Sequence, residues 1–301
     1  MNFYSNGKLL ISGEYLVMQG ALALALPVKF GQSLSVSLNG DNYLFWQTFV
    51  NDKLWFSAGF DNNLNAFNTS DKATADFLSK LLKFAKELNP QFLTNINFRV
   101  NANINFDIRW GLGSSSSLIN NVAQWANINP FDLFFKVANG SAYDIACAKS
   151  NHPIIYQLQN GVPNFYKVDF FPDFHQNIYF AYLGKKQKSE ESIHKFKKTS
   201  AYTQNDVDLI SKLSLNMLNA EKFDDFIRLV IEHEQILSRI LKQKTVQERL
   251  FPDFQGSIKS LGAWGGDFIM ILSDLEYNQI QAYFSRKKIN TIFTFAEMLH
   301  D

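Results

Sequence analysis

Apolar positions recur with clear periods along most of the chain. Ile96, Phe98, Val100, Ala102, Ile104 and Phe106 alternate with polar neighbours, which predicts a half-buried strand over 95–106. Residues 8–17 and 21–28 are near-continuous apolar runs around Gln19-Gly20 and read as buried strands. Residues 33–38 and 43–49 alternate around Asn39-Gly40-Asp41, which predicts a hairpin. A helix is predicted over 71–88, with Ser70 or Asp71 as its cap and Asn89-Pro90 as its stop. Further helices are expected over 130–138, 205–220, 222–242 and 276–286. Strands are expected at 154–158, 178–183, 268–272 and 291–295. Strands mixed with helix pairs imply an α+β class, with a boundary near residues 160–175 that divides 1–165 from 166–301.

One segment breaks these patterns. Gly111-Leu112-Gly113-Ser114-Ser115-Ser116-Ser117 leads directly into Leu118, Val122 and Trp125, spaced as one helical face. The glycines permit positive φ and close approach of a ligand to the backbone. A helix start offers unpaired amides and the positive end of the dipole, which suits phosphate. A flexible Gly/Ser linker is the alternative, but the apolar period begins at once after the serines, which favours a phosphate-cradling turn. No Walker loop and no G-x-G-x-x-G after a strand occurs in the chain.

The GLGSS run resembles the central motif of the GHMP kinases, named for galactokinase, homoserine kinase, mevalonate kinase and phosphomevalonate kinase. The N-terminal Gly7-Lys8-Leu9-Leu10-Ile11-Ser12-Gly13-Glu14-Tyr15 resembles the family's opening signature. Gly262-Ala263-Trp264-Gly265-Gly266-Asp267 resembles its third, glycine-rich motif. The three occur in family order and span nearly the whole chain. The resemblance implies an α+β, two-domain GHMP kinase fold: an N-terminal domain like ribosomal protein S5 domain 2 that binds ATP, a C-terminal ferredoxin-like domain, and an active site in the cleft between them. Within the family, Gly13-Glu14-Tyr15 and Ala142-Tyr143-Asp144-Ile145-Ala146 look most like the mevalonate and phosphomevalonate branch. The YDIA string also resembles the bacterial GYDIA-type GHMP kinases.

Phosphoryl transfer needs in-line positioning, neutralised phosphate charge and often an acceptor for the hydroxyl proton. By resemblance, Asp144 faces the substrate hydroxyl as the catalytic carboxylate; a helix cap is the alternative for a residue of this type in this setting. Lys8 matches the motif lysine and would be its catalytic partner. Gly111, Leu112, Gly113, Ser114, Ser115 and Ser116 would bind ATP. Magnesium would be held by Ser115, with Ser116 next. Glu14 could touch the metal or serve in a structural ion pair. In mevalonate kinases a glutamate eleven residues before the catalytic Asp completes the metal site; Leu133 stands there in this chain, so either Asp132 beside it substitutes through a shifted helix register or the metal is held mainly by phosphates and water. Tyr15, Ser141, Tyr143, Gly262, Ala263, Gly265 and Gly266 would line the small-molecule substrate. Lys185, Lys186 and Lys188 are either a solvated loop or a clamp for a phosphorylated substrate. Other departures from the family pattern are Asp107 in place of proline, bulky Arg109 and Trp110, Trp264 in place of a glycine, and Asp267 where small residues are usual.

Composition narrows the classes. Basic and acidic residues number 29 and 28, for a formal charge of +1, so no basic stripe points to nucleic acid and no partner beyond ATP and substrate is implied. No apolar run reaches membrane-span length, and the N-terminus lacks the pattern of a signal peptide, so a soluble cytoplasmic monomer or homodimer is expected. The single Cys147 excludes an internal disulfide and reads as a buried small residue. The function expected is ATP-dependent phosphorylation of a mevalonate- or phosphomevalonate-like metabolite. The rivals are an enzyme like diphosphomevalonate decarboxylase and a catalytically silent metabolite-binding protein on the same scaffold.

Overall fold

A computed structural model describes residues 1–184, 192, 194, 196, 198, 201–264 and 267–299. The chain is α+β, with a large mixed sheet and a second, small sheet. It divides into one compact unit of Met1–Gly7, Phe30–Ile108 and Leu112–Lys149 and another of Lys8–Lys29, Arg109–Gly111 and Ser150–Asp301. Strands β1 (Asn2–Leu10) and β2 (Ala23–Leu38) each contribute residues to both units.

In the first unit, β3 (Leu44–Val50), β4 (Lys53–Phe60), β5 (Ala66–Phe67) and β6 (Phe98–Ile104) join the later part of β2 in the order β5-β4-β3-β6-β2. The predicted hairpin of 33–38 with 43–49 is not formed. β6 lies between the two strands, antiparallel to β2 and parallel to β3. Asn39, just after β2, ties into this arrangement, its side-chain amide donating to Tyr43 O at 3.1 Å and to Phe98 O at 3.0 Å. Helix α1 (Lys72–Leu88) begins as the sequence predicts, with the Asp71 carboxylate accepting from Thr74 N at 2.8 Å. Its buried Leu78, Leu81 and Leu82 pack with Trp46, Phe56 and Val100 of the sheet. Ile119 and Val122 of α2 (Ser114–Ala126) and Leu133 of α3 (Pro130–Val137) complete that core, and α4 (Tyr143–Lys149) follows.

In the second unit, residues 23–25 of β2 pair with β7 (Ile154–Gln159), which pairs with β8 (Val162–Lys167). The small antiparallel sheet has the order β10 (Ser257–Ser260), β11 (Phe268–Leu272), β9 (Ile178–Tyr182), β12 (Ile292–Thr294). Helices α5 (Gln204–Leu218), α6 (Phe223–Leu241), α7 (Val246–Leu250), α8 (Tyr277–Arg286) and α9 (Phe295–Met298) belong to this unit. The strand predicted over 8–17 ends at Leu10. Gly13 turns the chain at φ +90°, and a Cβ there would stand 2.6 Å from that of Ala23. Only glycine meets both conditions. Among the described residues no helix is long and apolar enough to cross a membrane.

Candidate functional site

The glycine–serine run is a turn into a helix. Gly111 and Gly113 adopt φ of 71° and 90°, and Gly113 is the N-cap of α2. The first turn of a helix leaves its amides without intrahelical partners, at the positive end of the dipole. Helical rotation divides the serines that follow. Ser115 is exposed. Ser117 turns inward and donates to Gln32 Oε1 at 3.0 Å. Ser116 donates from its hydroxyl to Asp144 Oδ2 at 2.5 Å. Asp144 lies in the first turn of α4, where its Oδ1 accepts the Ile145 amide at 3.1 Å. The carboxylate is thus held by one bond from its own helix and one from α2, while Asn121 of α2 takes the Ser5 hydroxyl of β1 at 2.7 Å. Ser141 is buried, Tyr143 half-buried, and Asp132 exposed in the first turn of α3.

The second unit gathers residues from all three motifs. Lys8, Gly111 and Gly262 line one small cleft with Leu10, Trp110, Asp267 and Phe268. Gly111 keeps φ 71°, which favours glycine, and a Cβ there would stand 2.7 Å from the Asp267 carboxylate, which would have to move. Trp110 anchors its turn edge-on against Phe268 and Phe293, with ring centroids 6.2 and 5.3 Å away. Gly262, at φ 69°, and the partly buried Ala263 open the third-motif turn. Gly265, Gly266, Lys185, Lys186 and Lys188 lie outside the described residues.

Glu14 is wholly buried in an ion-pair network, the structural alternative that the sequence leaves open for it, with partners that the sequence does not identify. Lys259 Nζ, itself buried, donates to Glu14 Oε1 at 2.5 Å and to Ser260 O at 2.9 Å, and lies 3.4 Å from Glu234 Oε1. Glu234 accepts the Trp264 indole N–H at 3.1 Å and the Ser260 amide at 3.2 Å. The Gly13 amide donates to His233 Nε2 at 3.1 Å, which assigns the imidazole proton to Nδ1. Trp264, where the family motif has glycine, keeps a left-handed backbone at φ 45° and buries its indole against Glu234. The spacing of Phe226, Val230, His233, Leu237 and Ile240 along α6 is the signal that could have found this network, because it sets His233 on the buried stripe. Tyr15 follows Glu14 at φ 63°, ψ −49°, with Leu16 N donating to Glu14 O at 2.7 Å in a φ-positive γ-turn. Its ring stacks on Phe196 at 5.0 Å, and burial pushes its phenol up to about 12.

Burial also pushes Glu14 up from its ordinary 4.5 to about 7, against the attraction of Lys259, and raises Glu234. Burial, with Lys259 adding to it, holds His233 well below its ordinary 6.5. The signs oppose. Between 4.5 and about 7 folded Glu14 holds a proton that the unfolded chain has released, so its contribution to stability is lost as pH rises through that window. Below 6.5 the unfolded chain protonates an imidazole that the folded one keeps neutral, so stability is lost as pH falls. Glu14 Oε2 lies 3.3 Å from His233 Nε2, but the imidazole is held neutral by burial and Lys259, so Glu14→Gln removes the first effect and leaves the second. Urea unfolding of this variant should show stability that rises more steeply with pH, between about pH 5 and 7, than in wild type. Equal slopes for the two proteins would mean that Glu14 does not titrate there.

Sequence comparison matches no family model and no curated protein. The fold is nonetheless similar to solved structures over its full length. A mevalonate kinase structure superposes with a TM-score of 0.72 at 17% identity, covering 100% of both chains. Phosphomevalonate kinase of Streptococcus pneumoniae, solved with phosphomevalonate and AMPPNP, gives 0.72 at 16% identity, covering 98% of this chain and 99% of that one. Galactokinase of Lactococcus lactis with galactose gives 0.65 at 12% identity, covering 94% and 87%.

Proposed function

We infer, for a chain with the fold of the GHMP kinases, an ATP-dependent small-molecule kinase. The observation that carries this reading is the Ser116–Asp144 hydrogen bond, which joins the serine run to the YDIA helix. It places a carboxylate against a turn suited to phosphate. In a helix cap alone, Asp144 would answer only to its own helix.

Bound ATP with magnesium would supply the transferable γ-phosphoryl group and offset its charge. The α2 amides after Gly113, with the hydroxyls of Ser114 and Ser115, suit phosphate oxygens. The donor set also suits magnesium, which takes oxygen ligands and keeps several waters: Ser115 and Ser116 offer hydroxyls. Among the described residues, no group of three or more His, Cys, Asp and Glu side chains is set to hold a metal, and phosphate and water oxygens would supply the remaining ligands. Asp144 takes the proton of the acceptor hydroxyl, and the Lys8 ammonium offsets the charge that develops on the acceptor oxygen. A positioned carboxylate has work to do on a hydroxyl but little on a phosphate oxygen, so the acceptor is an alcohol such as mevalonate. Coupled ADP release measured with mevalonate, phosphomevalonate, homoserine and several sugars tests this; ADP release with none of them, or with phosphomevalonate alone, would overturn it.

Gly113→Val should weaken nucleotide binding by about tenfold or more, the equivalent of one lost charge-assisted hydrogen bond. Valine is strained at φ 90° and puts methyl groups beside the amides that would meet phosphate. Calorimetry on the folded variant reads the effect, and an unchanged affinity would remove the turn from the nucleotide site.

A further inference from the structure

Among the described residues of the second unit, five other than glycine sit at positive φ, and two of them, Tyr15 and Trp264, lie in the motif turns. Tyr15 sits in the φ-positive γ-turn of the first motif, and Trp264 at φ 45° in the turn of the third. Such strain persists only where the surroundings over-determine it, and it gathers at functional sites. One buried ammonium reaches both turns. Lys259 holds the Glu14 carboxylate, and the Glu14 carbonyl closes the γ-turn. On its other side Lys259 lies 3.4 Å from Glu234, which takes the Trp264 indole N–H. The Gly13 amide is fixed in turn by His233, the neighbour of Glu234 on α6. Buried ion clusters of this kind are weak stabilisers, since well-packed apolar residues often serve as well or better. What this one supplies in addition is a fixed relation between two turns.

We propose that Lys259, with Glu14 and Glu234, is a positioning device that locks the Tyr15 turn and the Trp264 turn into a single arrangement. The three are positioning residues and do not touch the reacting atoms. Lys259 is shared, so a carboxylate that loses its other donor draws the ammonium towards itself and away from its partner, which loosens both turns together. Trp264 belongs to the device: its indole N–H ties the third-motif backbone to Glu234, and a glycine at that position would leave the carboxylate without this donor. The coupling itself needs no assumption about activity. Its consequence for substrate rests on the kinase reading, in which the turns that carry Tyr15 and Gly262 meet the acceptor.

Hydrogen–deuterium exchange of the full chain tests the coupling. Trp264→Phe keeps an aromatic ring and removes only the indole donor. Exchange in 12–17, which includes the bonded amides of Gly13, Leu16 and Val17, is expected to quicken by about tenfold, along with exchange in 257–264. In the enzyme acting on the acceptor found by the ADP-release screen, the same variant should raise the acceptor KM several-fold and leave the ATP KM unchanged. Lys259→Met should release both segments further. Because Lys259→Met leaves buried carboxylates unpaired and costs stability, Trp264→Phe decides. If its exchange quickens in 257–264 alone, or in neither segment, the two turns are independent and the proposal falls. Absence of any transfer activity would refute the kinase reading and leave the exchange result standing.

Discussion

Asp144→Asn is expected to lower kcat by about 10²–10⁴-fold, the usual contribution of a positioned proton acceptor. Asparagine keeps the shape and can still accept the Ser116 hydroxyl through its amide oxygen, so the α2–α4 contact should survive and nucleotide should still bind. What is lost is the capacity to take the acceptor proton. Lys8→Met should cost a comparable factor, by removing the charge opposite the developing alkoxide. If both groups serve one step, the double variant should lose less than the sum of the two in free energy. Steady-state kinetics with the preferred acceptor, and calorimetric ATP affinity beside them, separate the terms. A kcat within a few-fold of wild type for Asp144→Asn would mean that the acceptor needs no base, and Asp144 would revert to a helix-terminal residue that braces Ser116.

Lys259→Met is expected to cost about 3–5 kcal/mol of stability. Methionine fills much of the lysine stem's volume, so the loss comes from charge and not from a cavity. Glu14 and Glu234 would remain buried with no ammonium between them, and Ser260 O would lose its side-chain donor. Urea unfolding at neutral pH reads the effect. Part of it should be recovered in acid, because both carboxylates are raised by burial and are neutralised more readily as pH falls. Adding Glu14→Gln to Lys259→Met should recover stability in the same way, since it removes one of the unpaired charges. A Lys259→Met protein as stable as wild type would show that the network carries little energy.

Local rules were legible along the chain wherever neighbours in sequence decide the outcome. The Asp71 cap, the Asn89-Pro90 stop, the alternation that became β6 and the glycines at positive φ before α2 all follow from backbone geometry and periodicity. The buried Cys147 also follows from its type and setting. The failed hairpin of 33–38 with 43–49 marks the limit of this reasoning. Its turn residues and alternation are sound, yet β6, more than fifty residues later, inserts between the strands and offers each a ladder partner. Strands β4, β8 and β10 went unread, because their strand character rests on partners and not on their own pattern.

The candidate site divides in the same way. Residue types and spacing single out the glycine–serine turn before α2, whereas Asp144 and Lys8 are proposed on the resemblance to the GHMP kinases, because a lone aspartate or lysine carries no local pattern that marks it. Tertiary structure alone decided that Ser116, among four consecutive serines, is the one bonded to Asp144, because helix rotation and the placement of α4 select it. It alone decided that Glu14 meets Lys259, 245 residues away. Ion pairing in a core depends on which charges are desolvated together, and no local pattern encodes that. Trp264 is the clearest case. In sequence it is a glycine replaced by the largest side chain; in the structure the buried Glu234 accepts its indole and holds the glycine-like backbone in place.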